Sequence, residues 1–149
     1  MPQRWLILGS GGHGRSVADA IRAQGDAVLG FLDDSRPADE LVAGVPVLGP
    51  LHLAWDVKTL LSPEGAPFAD RCVVAIGNPA LRQRWQQVLE EAGAPVGVVV
   101  HPRACLSSSA QLAPGCVACL SSAAPVSTTT RSAAFTASWA SPKADQVAP

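Results

Sequence analysis

Charge of either sign is scarce in this chain. Eleven Lys and Arg against twelve Asp and Glu leave a net charge of −1, which removes the broad basic field that general nucleic-acid binding needs. No apolar run approaches the roughly 20 residues that cross a bilayer. The N-terminus runs straight into an apolar strand, without the basic flank and long apolar stretch of a signal peptide, so a cytoplasmic protein is expected. Cysteine is limited to Cys72, Cys105, Cys116 and Cys119, and only the last two form a Cys-x-x-Cys, with no second pair or His-x-His after it. A structural zinc site takes four ligands; no metal is expected, and the thiols read as small, buried or inert. Histidine is scarcer still, and none follows His101.

What is present fits a folded core. Hydrophobic residues make up 48% of the 149 positions and charged residues 15%, enough for one ordinary domain and a fragment of a second. Residues 4–8 form an apolar run ending in glycine, the mark of a buried parallel strand. Val17, Ala18, Ile21 and Arg22 fall at helical spacing, and Gly25 closes that helix. A second strand, Ala27 to Leu32, ends in Asp33-Asp34. Residues 35–50 read as loop with a small strand around Val45 to Leu48, and a helix is expected over Leu51 to Leu61 before the loop Ser62 to Gly65. Cys72 to Ile76 is a third apolar strand. Pro79 opens a helix to about Ala92 with Leu81, Trp85, Val88 and Leu89 on one face, and Val96 to Val100 supplies a fourth main strand. The alternation predicts a small Rossmann-like, doubly wound parallel α/β sheet over 1–101.

From His101 the pattern changes. Ser, Ala and Thr dominate, and aliphatic residues recur at a six-residue spacing, at Leu106 and Leu112, with small residues four positions later at Ala110 and Cys116. That is the rule of a left-handed parallel β-helix, here less than a full turn that must stack on neighbours to bury its core. Residues 102–120 are read as its aborted start, and 121–149 as a low-complexity, poorly ordered tail whose altered composition suggests truncation or an out-of-frame extension.

The residues expected to carry function gather at the carboxyl ends of the strands. Gly9-Ser10-Gly11-Gly12-His13-Gly14 satisfies G-x-G-x-x-G between a strand and a helix. There the first glycine permits a tight turn, the second lets a phosphate approach the backbone and the third lets helix and sheet pack closely. The helix N-terminus offers free N–H groups to an anion, and Arg15 would add charge. Asp33 and Asp34 end the second strand. They would meet the ribose of a dinucleotide, the ribose or base of a nucleotide sugar, or else simply start a turn at Ser35-Arg36-Pro37. His13 is unusual in such a loop and would donate to a phosphate or a sugar substituent, or face solvent. Gly77-Asn78 points to the same sheet edge, and one of Arg82 and Arg84 is expected to reach an anion, with Arg82 preferred.

Taken together, G-S-G-G-H-G, F-L-D-D (Phe31 to Asp34), G-V-P-V-L-G (Gly44 to Gly49), A-I-G-N (Ala75 to Asn78) and V-H-P-R-A (Val100 to Ala104), followed by L-S-S-S-A-Q-L-A-P-G, resemble the NeuD/PglD-like sugar acetyltransferases over residues 3 to about 118. The resemblance implies an N-terminal domain that binds a UDP-linked amino sugar through Gly9–Gly14, Asp33-Asp34 and Gly77-Asn78. It also implies a C-terminal β-helix that forms a homotrimer and binds acetyl-CoA between subunits. Its general base is a β-helix histidine beyond the point where the repeat fails here, so the resemblance leaves no catalytic residue to nominate, the acetyl-CoA site is expected to be absent and the trimer is doubtful. The expectation is a nucleotide-sugar-binding domain of a surface-glycan acetyltransferase, catalytically incomplete. An NAD(P)-binding oxidoreductase or redox-sensing module, favoured by the glycine loop and Asp33, is the alternative; a structural partner of full-length trimers is a third reading.

Overall fold

The structure, a computed structural model, describes residues 1–55 and 69–118. Its centre is a five-stranded sheet of β1 (Arg4–Leu8), β2 (Ala27–Leu32), β3 (Leu41–Val42), β4 (Val45–Gly49) and β5 (Arg71–Val74), in the order β3-β4-β2-β1-β5. β1 pairs in parallel with both β2 and β5, β2 pairs in parallel with β4, and only the two-residue β3 runs antiparallel. Among the described residues two α-helices cross between strands, α1 (Gly12–Ala23) and α2 (Pro79–Glu91).

Period-two alternation along β1 builds the two faces. Trp5 and Ile7 join Val17, Ile21, Phe31, Val47 and Val73 in a core under α1. Leu6 and Leu8 point the other way and pack with Leu32, Val74, Trp85 and Leu89 under α2. Burying each such side chain contributes roughly 1.5–3 kcal/mol, and helices on both sides make the sheet doubly wound, as expected from the sequence.

Some expectations are corrected. The small strand expected around Val45 to Leu48 is present as β4, and it is a parallel member of the sheet with Val45 and Val47 buried in the core; other elements differ. Only a 3-10 helix, Leu51–Trp55, is seen at the start of the helix expected over Leu51 to Leu61. The remainder of that helix and the loop Ser62 to Gly65 lie outside the described residues, as do Cys119 and the segment read as a tail. Leu81 does not share the buried face of Trp85 and Leu89; it is 40% exposed in the first turn of α2.

The expected fourth strand also divides. Val96 makes a lone parallel bridge to Cys72, with the Cys72 N–H donating to the Pro95 carbonyl at 2.9 Å and the Gly97 N–H to the Cys72 carbonyl at 2.9 Å. The chain then leaves the sheet. β6 (Val99–Val100) pairs in parallel with β7 (Val117–Ala118) as a separate two-stranded sheet. Val99 thus pairs with Val117, eighteen residues further on, which is three of the six-residue steps expected from the sequence. Trp5 explains the departure: a Cβ on Gly97 would lie 2.4 Å from the Trp5 Cη2, so the backbone crosses the indole where only glycine fits. Val99 and Val117 both belong to the core under α1.

Because Trp5 is fully packed and cannot yield, Gly97→Ala is expected to destabilise the chain by about 1–3 kcal/mol, read as a lowered urea midpoint with an unchanged slope. An unchanged midpoint would mean the indole is free to move.

Candidate functional site

The carboxyl edge of the parallel strands opens into a cleft of about 370 Å³ lined by Gly9, Gly11, Gly12 and His13 from the β1–α1 loop and helix start. Asp33, Asp34, Ser35 and Leu51 line it from the end of β2 and the 3-10 helix, and Ala75, Ile76, Gly77 and Leu81 from the end of β5 and the start of α2. This is where ligands bind in open α/β sheets.

The glycines of the loop divide by physical role. Gly9 has φ +102°, and a Cβ there would lie 2.8 Å from the Ala75 carbonyl oxygen. A Cβ on Gly14 would lie 2.1 Å from the Gly9 carbonyl oxygen, so α1 seats directly on the loop. Gly11, Gly12 and Gly77 are different: a Cβ at any of them meets nothing within 4 Å, and none has a positive φ. The fold does not require glycine at these three positions, yet all three line the cleft.

Among the residues expected at the site, Gly9, Gly11, Gly12, His13, Asp33, Asp34 and Gly77 are brought to the cleft wall. Ser10 and Gly14 lie buried behind it. Asn78 is the N-cap of α2, its Oδ1 accepting from the Leu81 N–H at 3.0 Å. Arg82 donates from its guanidinium to the Ile76 carbonyl at 3.1 Å, bracing the loop after β5.

Both aspartates do structural work. The Asp33 Oδ2 accepts from the Ser10 N–H at 2.8 Å and the Ser10 hydroxyl at 2.5 Å. Its Oδ1 accepts from the Ser35 N–H at 2.8 Å and the Ser35 hydroxyl at 2.6 Å. Burial pushes the Asp33 carboxyl up, but these bonds outweigh it and hold the pKa down at about 2. The turn at Ser35, the plainest reading of the acidic pair, is therefore present. Asp34 Oδ1 accepts from the Leu51 N–H at 2.8 Å and so starts the 3-10 helix.

His13 sits in the first turn of α1 with its Nε2 buried and without a hydrogen-bond partner. Burial lowers its pKa below 6.5, and the nearby Arg82 charge lowers it further, so the imidazole is neutral at pH 7. Sequence reasoning missed Ser35, Leu51, Ala75, Ile76 and Leu81. Ala75 and Ile76 stand beside Gly77 in the A-I-G-N motif and were within reach; Leu51 and Leu81 carried no signal, because an aliphatic residue at a helix start reads as core. Among the described residues no cluster of His, Cys, Asp or Glu suits a metal ion, and Cys105 is exposed whereas Cys72 and Cys116 are buried.

Compared with known proteins, residues 4–89 match the family model of the PglD N-terminal domain. The structure is similar to the acetyltransferase domain of PglB from Neisseria gonorrhoeae, solved with acetyl coenzyme A, at 32% identity and a TM-score of 0.63 over 78% of this chain and 53% of that one. It is similar also to PerB from Caulobacter crescentus, solved with CoA and GDP-perosamine, at 33% identity and a TM-score of 0.63 over 76% of this chain and 50% of that one. A mutant perosamine N-acetyltransferase from the same organism, again with CoA and GDP-perosamine, matches at 32% identity and a TM-score of 0.65, over 76% of this chain and 50% of that one. The chain thus spans about half the length of the solved structures it matches. No curated protein matches it.

The lowered His13 pKa has a consequence for stability. Protons bind the unfolded chain more readily than the folded one, so the stability available above pH 6.5 is lost as the pH falls through the depressed folded-state value. Urea unfolding at about pH 5 and about pH 7.5 is expected to show a smaller acid loss for His13→Gln than for the wild type. Equal losses would place the acid sensitivity elsewhere.

Proposed function

This chain belongs to the family of the PglD N-terminal domain, among the NeuD/PglD-like sugar acetyltransferases, and from that premise we propose that its cleft holds a nucleoside-diphosphate-linked amino sugar for acetylation. The observation that carries the reading is the trio Gly11, Gly12 and Gly77, which line the cleft although neither packing nor backbone conformation demands glycine there. A ligand that must reach the backbone supplies the missing reason. The N–H groups at the start of α1 then take the diphosphate, with His13 in the same cleft wall. Asp34 and Ser35 lie on the nucleoside side, with Leu51, Ile76 and Leu81 offering aliphatic walls to a base or sugar ring.

The dinucleotide alternative fares worse on one specific point. A Rossmann enzyme uses the carboxylate at the end of its second strand to accept from the ribose hydroxyls, whereas the Asp33 carboxylate already accepts four bonds from Ser10 and Ser35. Which nucleotide is bound remains part of the proposal: the resemblance implies uridine diphosphate, while PerB was solved with a guanosine diphosphate sugar.

The reaction proposed for the family is attack of the sugar amine or hydroxyl on the acetyl-CoA thioester, with a base removing the nucleophile's proton. No histidine follows His101 in these 149 residues, and no described residue is assigned to the base, to acetyl-CoA or to a trimer contact. The role proposed for this chain is to hold the sugar. Among the described residues no helix is long and apolar enough to cross a membrane. A cytoplasmic location is part of the proposal and rests on the acetyl-CoA and nucleotide sugars the proposed reaction draws on.

Titration calorimetry with UDP-linked and GDP-linked amino sugars and with NAD tests the reading. One of the sugar nucleotides is expected to bind and NAD to bind far more weakly; tighter binding of NAD would overturn it. Gly12→Ala gives a second check. Alanine in the first helical turn raises stability or leaves it unchanged, within about 1 kcal/mol, while its methyl group intrudes on the phosphate and lowers affinity by about tenfold or more.

A further inference from the structure

We infer that Asp33 is a positioning residue for the glycine loop and not a contact to the nucleoside. The inference rests on the nucleotide-sugar reading of the cleft and assigns a different task to one residue within it.

A carboxylate offers about four lone-pair sites, and in Asp33 each is taken by a donor of this chain. Ser10 gives its N–H and hydroxyl to Oδ2, and Ser35 gives its N–H and hydroxyl to Oδ1. Of the two serines only Ser35 lines the cleft. Ser10 is wholly buried between Gly9 and Gly11, in the loop that opens α1, and Ser35 lies in the turn after β2. Asp33 is itself held in register, because its own N–H donates to the Gly49 carbonyl at 2.9 Å. The Gly9 N–H donates to the Leu32 carbonyl at 2.8 Å, a second tie between the same two segments.

The geometry therefore runs from β4 to Asp33, from Asp33 to Ser10, and from Ser10 to the backbone N–H groups of Gly11 and Gly12. Bonds to an ionised acceptor are roughly twice as strong as neutral ones, so the clasp fixes the loop where flanking glycines alone would leave it loose. A ribose hydroxyl would have to displace a serine to reach Asp33. Asp34 is better placed to read the nucleoside: only its Oδ1 is engaged, by Leu51, and Oδ2 has no hydrogen bond to a described residue.

The two roles separate when the diphosphate is tested without its nucleoside. Inorganic pyrophosphate and UDP are titrated into the full chain by calorimetry, for wild type, Asp33→Asn, Ser10→Ala and Asp34→Asn, with thermal melts as a check on folding. If Asp33 positions the loop, Asp33→Asn and Ser10→Ala weaken pyrophosphate and UDP by the same factor, about tenfold, and Asp34→Asn weakens UDP while sparing pyrophosphate. Ser10→Ala removes one bond of the four and reports even where Asp33→Asn does not fold. Loss of UDP binding with pyrophosphate binding intact in Asp33→Asn would overturn the inference, as would unchanged affinities in Ser10→Ala. A wild-type chain that binds neither probe would overturn the nucleotide-sugar reading and this inference with it, whereas the unequal loss overturns this inference alone.

Discussion

The cleft depends on how closely α1 is pressed against the end of β1. Gly14 sits on the Gly9 carbonyl, and Gly9 sits on the Ala75 carbonyl, with no room for a Cβ at either contact. Helix, loop and the end of β5 are thus stacked at backbone contact distance. That stacking puts the unsatisfied N–H groups of the first helical turn at the sheet edge, where a bulkier interface would have pushed them back. It also explains why the loop can hold a neutral histidine: His13 is carried on a helix whose position is set by backbone contacts and not by its own side chain.

The charges around the cleft are arranged with the same economy. The end of a helix that carries positive dipole attracts any nearby anion, and an Asp33 carboxylate without its serine partners would compete with a phosphate for it. Asp33 does not compete, because its charge is spread over the four donors of two serines. Behind the other wall, Arg82 is tied to the Ile76 carbonyl, and burial first, with the Arg82 charge second, lowers the His13 pKa.

Most of the sheet was legible in the sequence because parallel strands buried on both faces read as unbroken apolar runs, as Trp5 to Leu8 and Cys72 to Ala75 do. β4 was legible as a short strand within residues 35–50, but Pro46 and the flanking glycines hid its parallel pairing with β2. The strand expected from Val96 to Val100 failed for a tertiary reason: nothing local in that segment reveals that it must cross Trp5. The glycine loop and Asp33 were found from spacing alone, but spacing could not say which way the carboxylate is used. That depends on Ser10 and Ser35, whose hydroxyls carry no signal until the loop and the turn are seen to meet.

The six-residue rhythm after His101 takes on a different meaning in the fold. Read alone, Leu106 and Leu112 suggest a fragment too short to be stable, which is sound for an isolated coil. Here the coil is not isolated. Its pairing starts at Val99, before the rhythm is visible, and Val99 and Val117 bury their side chains in the core under α1. On the other face the buried Gln86 of α2 donates to the Pro114 carbonyl at 3.4 Å, and Gly115 lies so close to it that a Cβ would collide with the amide. Residues 95–97 meanwhile bond to Cys72 and cover the edge of β5 that would otherwise lie open. The pair β6–β7 is therefore stabilised by packing on the core under α1, and residues 95–97 just before it cover the edge of β5. The cleft and the β6–β7 pair are parts of one packed body, because Val99 and Val117 share the core under α1 with Ile7, Val17 and Phe31.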